Sequence, residues 1–123
     1  MGKYDLVIIG GGPAGLAAAT AAKEEGVDNI LILERENQLG GKLNQCIHSG
    51  FGFTTLGEEL TGPEYVGKFI EKVENLNISY KLNTMVLNLT RNKIITAVNE
   101  EEGISEIKAR AIILSMGCKE SPW

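Results

Sequence analysis

The chain has 123 residues, of which 43% are hydrophobic, and a formal net charge of −4. This length suits one domain with a hydrophobic core, expected to span residues 1–123. The net charge gives no support to binding of nucleic acids or anionic membranes, both of which need basic patches, and no apolar run approaches the roughly 20 residues of a membrane-spanning helix. The two cysteines lack C-x-x-C spacing, which favours a reduced, cytoplasmic compartment.

The first predicted element is a strand over residues 4–9, which leads into the glycine run Gly10–Gly12. Pro13 suits the first turn of a helix, because the N–H that proline lacks would have no helical partner there. An alanine-rich helix follows and ends at Gly26, the expected C-cap, before a second apolar strand over residues 30–33 and an acidic residue. This order of elements is the required context of the G-x-G-x-x-G dinucleotide-binding fingerprint.

Each residue type in the fingerprint has a physical role. Gly10 is expected to permit the sharp turn out of the strand, and Gly12 to let a pyrophosphate approach the backbone. Gly15 is expected to let the helix pack closely on the sheet. The pyrophosphate would lie at the helix N-terminus, beside Pro13 and Ala14, where amide N–H groups and the helix dipole favour an anion.

Glu34, nineteen positions after Gly15, is placed to accept hydrogen bonds from a ribose hydroxyl. Its carboxylate would repel a 2′-phosphate, which favours an ADP-containing cofactor such as FAD or NAD over NADP. Arg35 follows directly, and two interpretations are open for it: contact with the adenine, or a solvated position in a loop.

A glycine-rich segment over residues 35–53 shows no clear periodicity. Beyond it, apolar residues at helical spacing predict a second helix over residues 62–76, and a third strand is predicted over residues 78–82. Right-handed crossovers then give the strand order 3-2-1 in a parallel sheet.

The pattern changes after the third strand. Three short strands are predicted over residues 84–90, 93–99 and 104–109, joined by tight turns in an antiparallel meander. The apolar run over residues 111–115 is predicted as one more buried parallel strand, closed by Met116-Gly117. The fold class is therefore α/β: a Rossmann-like β-α-β-α-β parallel sheet with a three-stranded antiparallel β-meander.

The order of these elements resembles the FAD-binding domain of the glutathione-reductase-like flavoproteins, which carry two dinucleotide-binding domains. The matching residues are Gly10, Gly12, Gly15, Glu34, the pair Gly40-Gly41 and the strand ending in Ser115-Met116-Gly117, where the family usually has Ala-Thr-Gly. The segments 40–52 and 59–65 look most like a bacterial group of NAD(P)/FAD-dependent oxidoreductases found beside anaerobic glycerol-3-phosphate dehydrogenases. The family continues into an NAD(P)H domain and a returning Gly-Asp strand, so we expect an FAD-binding domain that is truncated at its C-terminal end.

The resemblance implies FAD as the cofactor, with NAD(P)H as a possible co-substrate. Backbone amides freed by the glycine pair can reach the pyrophosphate or the flavin edge. The further cofactor contacts expected from this loop and from the last strand are Gly41, Lys42, Asn44 and Gly117.

Cys46 and His48 are the candidate catalytic residues. Cys46 has no partner at the C-x-x-x-x-C spacing of the disulfide reductases of this superfamily, so burial as a small apolar side chain is favoured over a dithiol mechanism. His48 is either a general acid or base beside the flavin or a hydrogen-bonded loop histidine, the latter being favoured. Only the distant Cys118 adds another Cys or His ligand, so no zinc site is expected.

The leading hypothesis is the FAD-binding portion of a flavin-dependent oxidoreductase. It would serve hydride or electron transfer between FAD and a nicotinamide nucleotide or a small organic substrate. The alternative is a non-catalytic module that binds ADP, NAD or FAD and pairs with another polypeptide, or with its own copy, through an open sheet edge. An NAD-dependent enzyme is a third hypothesis, disfavoured because the meander is typical of the flavoprotein group.

Overall fold

The computed structural model describes residues 2–40 and 62–115. Strands and helices alternate along the first part of these ranges, and strands alone form the rest. In chain order the elements are β1 (Gly2–Ile9), α1 (Pro13–Glu24), β2 (Ile30–Leu33), α2 (Gly62–Asn75), β3 (Ser79–Lys81), β4 (Met85–Leu89), β5 (Ile94–Asn99) and β6 (Gly103–Leu114). The predicted helices and the first three strands are present, with ends that differ by one or two residues.

The strands form one sheet in the order β3-β2-β1-β6-β5-β4. The β1, β2 and β3 strands run parallel, and β6 runs parallel to β1 on its other side. The β4, β5 and β6 strands form the antiparallel meander. The predicted fold class and the predicted 3-2-1 order are both confirmed. Strand order therefore reverses at β1, which places the crevice between β1 and β6 at the switch point where such sheets bind ligands.

The central strands are buried on both faces, which explains their continuous apolar runs. Leu6 and Ile8 of β1 face the helical layer, where they share a cluster with Leu16 of α1 and Val73 of α2. The opposite face is covered by the meander, and its side chains are Val7, Ile9, Leu31, Leu33, Ile95, Ile107 and Ala109. The central strand β1 therefore contributes side chains to both apolar clusters, one on each face of the sheet.

The C-terminus of α1 confirms the predicted glycine C-cap. Gly26 has φ +103°, a left-handed conformation that costs an L side chain free energy. Its N–H donates to the Lys23 carbonyl at 3.1 Å, and the next N–H, of Val27, donates to the Ala22 carbonyl at 3.0 Å. These two bonds form a Schellman motif, which ends the helix and returns the chain towards β2.

One prediction about strands was wrong. The segments 104–109 and 111–115, predicted as two strands, form the single strand β6, whose first half pairs with β5 and whose second half extends along β1. The sequence pattern changes within β6 because its neighbouring strands change from β5 to β1, while its backbone stays extended. Burial was also overestimated: Ile113 and Leu114 are 36% and 56% exposed. Pairing with β5 ends at Lys108, so the following residues have a strand on one side only within the described chain.

A polar bridge joins the β5–β6 turn to the end of β3. The Lys81 Nζ donates to Glu102 Oε1 at 2.8 Å, and the Asn99 Nδ2 donates to Thr84 Oγ1 at 3.1 Å. The hydrogen bond from Lys81, with its positive charge, lowers the pKa of the Glu102 carboxyl below its usual value. The meander is therefore tied to the parallel part of the sheet beyond their shared strand.

Neither of the helices described within residues 2–40 and 62–115 is long and apolar enough to cross a membrane.

Candidate dinucleotide-binding site

The turn from β1 into α1 is built from three consecutive glycines. Gly10 has φ +109°, which accounts for the sharp change of direction, and its N–H donates to the Leu33 carbonyl at 2.8 Å. Gly12 is the N-cap of α1, with extended backbone angles, and its carbonyl accepts the first helical hydrogen bond from Leu16 at 2.9 Å. The turn is thus anchored on the end of β2 while the helix begins directly after it.

Gly15 allows α1 to lie against the sheet. A Cβ added at this position would overlap the carbonyl oxygen of Gly10, and it would lie 3.2 Å from both Ile8 Cγ2 and Ser115 Oγ. No rotamer relieves an overlap of Cβ with a backbone atom, so only glycine fits this approach. This geometry agrees with the close helix–sheet packing that the sequence predicts for Gly15.

The N-terminus of α1 offers backbone amides to a ligand. Because Leu16 donates the first helical hydrogen bond, helix geometry provides no acceptor for the N–H groups of Gly12, Ala14 and Gly15. Pro13 contributes no N–H, and the first turn carries no acidic side chain that would compete for the amides. Such a terminus favours an anion, through the amides and through the helix dipole.

The carboxylate of Glu34 is held beside this turn at the end of β2. Glu34 is only 8% exposed, and its Oε1 accepts the N–H of Gly11 at 2.6 Å while its Oε2 accepts the N–H of Glu36 at 2.8 Å. Its own backbone N–H donates to Lys81, and its carbonyl accepts the N–H of Thr84. Since an ionised carboxylate has about four lone-pair sites, these bonds leave acceptor capacity for ligand hydroxyl groups.

Gly11 is a site residue that the sequence analysis missed. It joins three segments: its N–H is bonded to Glu34, its carbonyl accepts the N–H of Gly40 at 2.7 Å, and it packs against Leu39. A Cβ at Gly11 would lie 2.8 Å from Leu39 Cδ2 and 3.0 Å from Glu34 Oε1. The fingerprint leaves this position open to any residue, so the only available signal was a third glycine where two would satisfy the pattern.

Ser115 is a second residue whose side chain received no role from the sequence. It follows β6, and its N–H donates to the Ile9 carbonyl at 2.7 Å, which places it beside the glycine turn at the β1–β6 crevice. The residue is 8% exposed, and its hydroxyl has no hydrogen-bond partner among the residues that the structure describes. Its position at the end of the last apolar strand was the available signal.

The remaining predicted site residues are distributed as follows. Arg35 is about half exposed, with its Nε 3.6 Å from Glu36 Oε2, so the structure gives it an ion pair and leaves its predicted adenine contact untested. Gly40, at φ +67°, is the last described residue before the predicted cofactor loop. The predicted contacts and catalytic candidates that lie outside the described residues are Gly41, Lys42, Asn44, Cys46, His48 and Gly117.

Comparison with known proteins identifies one family. The sequence profile of the pyridine nucleotide-disulphide oxidoreductases matches residues 4–122. The chain is 30% identical over 119 residues to a thioredoxin reductase from Bacillus subtilis, covering 94% of this chain and 34% of the reductase. It is also 30% identical over 121 residues to the hydrogen cyanide synthase subunit HcnB from Pseudomonas protegens, covering 93% of this chain and 24% of that subunit.

Solved structures agree on the fold. The L-proline dehydrogenase from P. horikoshii superposes with a TM-score of 0.69 at 25% identity, over 98% of this chain and 24% of the dehydrogenase. The bacillithiol disulfide reductase from Staphylococcus aureus gives a TM-score of 0.65 at 20% identity, over 95% of this chain and 39% of the reductase. The chain therefore spans between about a quarter and two fifths of the length of these relatives.

Proposed function

The chain belongs to the pyridine nucleotide-disulphide oxidoreductase family, and on that premise we propose that it is the FAD-binding part of a flavin-dependent oxidoreductase. The observation that carries this proposal is the Glu34 carboxylate, which the Gly11 amide fixes beside the N-terminus of α1. The N-terminus of α1 suits a pyrophosphate, and the Glu34 carboxylate suits a ribose. Together they match the ADP half of a dinucleotide.

The phosphate side of the site fits a doubly charged pyrophosphate. The amides of Gly12, Ala14 and Gly15 precede the first helical hydrogen bond, and the first turn is free of carboxylates. An anion placed there gains hydrogen bonds that the helix itself cannot supply. The close packing at Gly15 keeps this helix terminus fixed against the sheet, so the amides need no rearrangement before binding.

The ribose side of the site fits an unmodified ribose. Two backbone N–H donors hold the Glu34 carboxylate in one orientation, and its remaining lone pairs can accept the ribose hydroxyl protons. A 2′-phosphate would bring negative charge against this carboxylate, so the site is expected to select FAD, NAD or ADP over NADP.

Bound FAD would supply the hydride or electron transfer, since such chemistry is carried by the cofactor. The described residues bind and orient its ADP half. Gly41, Lys42, Asn44 and Gly117 remain our proposed contacts on the rest of the cofactor, and Cys46 and His48 our candidates for the reacting end. A nicotinamide nucleotide or a small organic substrate is the proposed reaction partner.

Three finer assignments accompany this proposal. The segments 40–52 and 59–65 support membership of the bacterial group found beside anaerobic glycerol-3-phosphate dehydrogenases. Two cysteines without C-x-x-C spacing support a cytoplasmic location. Residues 1–123 are proposed to form one FAD-binding domain that other segments of an oxidoreductase complete.

A second function has its own support. HcnB, a relative over almost the whole of this chain, is a subunit of a synthase. The strands at both ends of the described sheet, β3 and β4, also present unpaired edges for another polypeptide or a second copy. The alternative is therefore a nucleotide-binding subunit whose chemistry lies in its partner.

Calorimetric titration of the chain with FAD, NAD, ADP and NADP tests the proposal, with the visible flavin spectrum as a second readout. We expect FAD to bind tightest and NADP weakest. Equal, weak binding of FAD, NAD and ADP would favour the subunit alternative, and failure of all four ligands to bind would contradict both. The Gly12→Val variant should lose binding while keeping its circular dichroism spectrum. The Gly67→Ala variant is the control, because no described residue lies within 4 Å of the added Cβ.

A further inference from the structure

Within residues 2–40 and 62–115, the Ser115 hydroxyl is the one buried side-chain polar group without a hydrogen-bond partner. Folding removes this hydroxyl from water without replacing its hydrogen bonds to water, which is unfavourable for any polar group. Buried polar groups in native proteins almost always have a partner, so an exception calls for an explanation.

Thr20 provides an internal comparison. Its hydroxyl is also buried, at 2% residue exposure, but it donates to the carbonyls of Leu16 and Ala17, both at 3.1 Å. A helix offers such carbonyls three and four positions back, whereas a residue directly after a strand has no local acceptor of that kind. Within the described part of the chain, the hydroxyl of Thr20 is thus hydrogen-bonded and that of Ser115 is not.

The position of Ser115 points to a ligand as the missing partner. Its N–H is bonded to the end of β1, so it lies at the crevice where the strand order reverses. Its Oγ is directed at Gly15 in the first turn of α1, 3.2 Å from the position that a Cβ would occupy. The unpartnered hydroxyl is therefore beside the same helix N-terminus that offers its amides to an anion.

We propose that Ser115 is a further nucleotide-binding residue, whose hydroxyl donates a hydrogen bond to a phosphate oxygen of the bound dinucleotide. This inference rests on the proposed function. The hydroxyl is enclosed in this structure, and the proposed bond requires rotation about the single χ1 bond to another staggered rotamer. A hydroxyl meeting an anionic oxygen forms a charge-assisted hydrogen bond, which is stronger than a bond between neutral groups.

The proposal predicts effects of opposite sign for the Ser115→Ala variant. Without ligand, the variant loses an unsatisfied buried group and gains stability, with a midpoint of thermal unfolding higher by about 2 °C or more. With ligand, it lacks the charge-assisted bond, and its affinity for ADP falls roughly tenfold. A purely structural serine would give losses in both measurements or in neither.

The experiment measures thermal unfolding and calorimetric binding of ADP and of adenosine for wild type, Ser115→Ala and Thr20→Val. We expect Ser115→Ala to weaken ADP binding while adenosine, which lacks the phosphates, binds as to wild type. Thr20→Val, which removes the satisfied hydroxyl, should leave both affinities unchanged. Ser115→Cys, with a weaker donor of similar shape, should follow Ser115→Ala in affinity and provides a second variant if alanine prevents folding.

Two results would overturn the inference. One is ADP affinity unchanged in Ser115→Ala and Ser115→Cys. The other is an equal loss for ADP and adenosine, which would mean that Ser115 acts through the fold. Both leave the proposed function standing as long as wild type binds ADP. If wild type binds no nucleotide, the proposed function itself fails and the Ser115 inference fails with it.

Discussion

Replacing Gly15 by alanine is expected to destabilise the ligand-free chain by more than any helix propensity can recover. The added Cβ would overlap the Gly10 carbonyl oxygen and touch Ile8 Cγ2 and Ser115 Oγ, both at 3.2 Å. Gly10 cannot retreat freely, because its N–H is bonded to the Leu33 carbonyl at 2.8 Å. The helix α1 must therefore move away from the sheet by roughly 1 Å to restore ordinary contact distances.

The magnitude follows from two opposing terms. Overpacking costs about 1–3 kcal/mol, and a backbone obstacle places this case at the upper end of that range. Moving α1 also loosens the packing of Leu16 and Ala19, both fully buried. Against this, alanine is favoured over glycine in a helix by up to about 1 kcal/mol. The net expectation is a loss of about 2 kcal/mol in the free energy of unfolding.

Gly67→Ala is the matched control, because it makes the same chemical change in α2 with no described residue within 4 Å of the added Cβ. It should gain about 0.5–1 kcal/mol from helix propensity alone. Urea unfolding followed by circular dichroism compares the two variants. With an m-value of about 2 kcal/mol/M, their midpoints should differ by about 1.5 M, and Gly15→Ala should unfold at the lower concentration.

A Gly15→Ala midpoint equal to or above that of wild type would refute the reasoning. It would show that α1 does not approach β1 as closely as described. A changed m-value would be a different finding, because it would report altered compactness of the native or unfolded state.

The remaining predictions concern a buried carboxylate, a helix terminus and an ion pair. In Glu34→Gln, one of the two backbone N–H donors must face an NH₂ group instead of a carboxylate oxygen. We therefore expect the free energy of unfolding, measured by thermal melts, to fall by about 1–3 kcal/mol, and ADP binding to be lost. Unchanged melts would contradict the bond from Gly11. Gly26→Ala places a Cβ on a residue with φ +103° and should lower the free energy of unfolding by about 1 kcal/mol, measured as a lower urea midpoint. An unchanged midpoint would argue against the left-handed conformation of this residue. Lys81→Met removes the bond that lowers the pKa of Glu102 below its usual 4.5. A carboxyl whose pKa is lowered in the folded state adds stability at pH values above its unfolded-state pKa, and this stability is lost as the pH falls through the folded-state pKa. The urea midpoint of the wild type should therefore fall more steeply than that of the variant below about pH 5. Parallel curves would exclude the ion pair in solution.

Local rules predicted the glycine turn, the first helix and the acidic residue, because the fingerprint depends on neighbours in the sequence. The handedness of crossovers then gave the order of three strands without any knowledge of side-chain contacts. The roles of Gly11 and Ser115 depend on contacts between residues that are far apart in the chain. Gly11 meets a carboxylate 23 positions away, and no local pattern encodes that meeting.

The error over β6 has a related cause. Alternation of apolar and polar residues reports which faces of a strand are covered, and that coverage changes at Lys108, where the pairing of β6 with β5 ends. The sequence therefore changes its pattern in the middle of an unbroken strand. Predictions for residues 41–61 and 116–123 fall outside the described residues, so the flavin side of the site stays at the stage of prediction.

The long strand β6 also determines when the sheet can be completed during synthesis. Gly2 in β1 pairs with Ile107, which is 105 positions later, so one edge of β1 stays unpaired until those residues have been synthesised. At about 5–20 residues per second, a ribosome needs roughly 5–20 s to supply that partner. Pairing across such a separation is intrinsically slow, and an unpaired apolar edge is open to association with other chains meanwhile. Within the described sheet, β6 thus completes the pairing of β1, and one edge of β1 stays open to other chains until β6 has been synthesised.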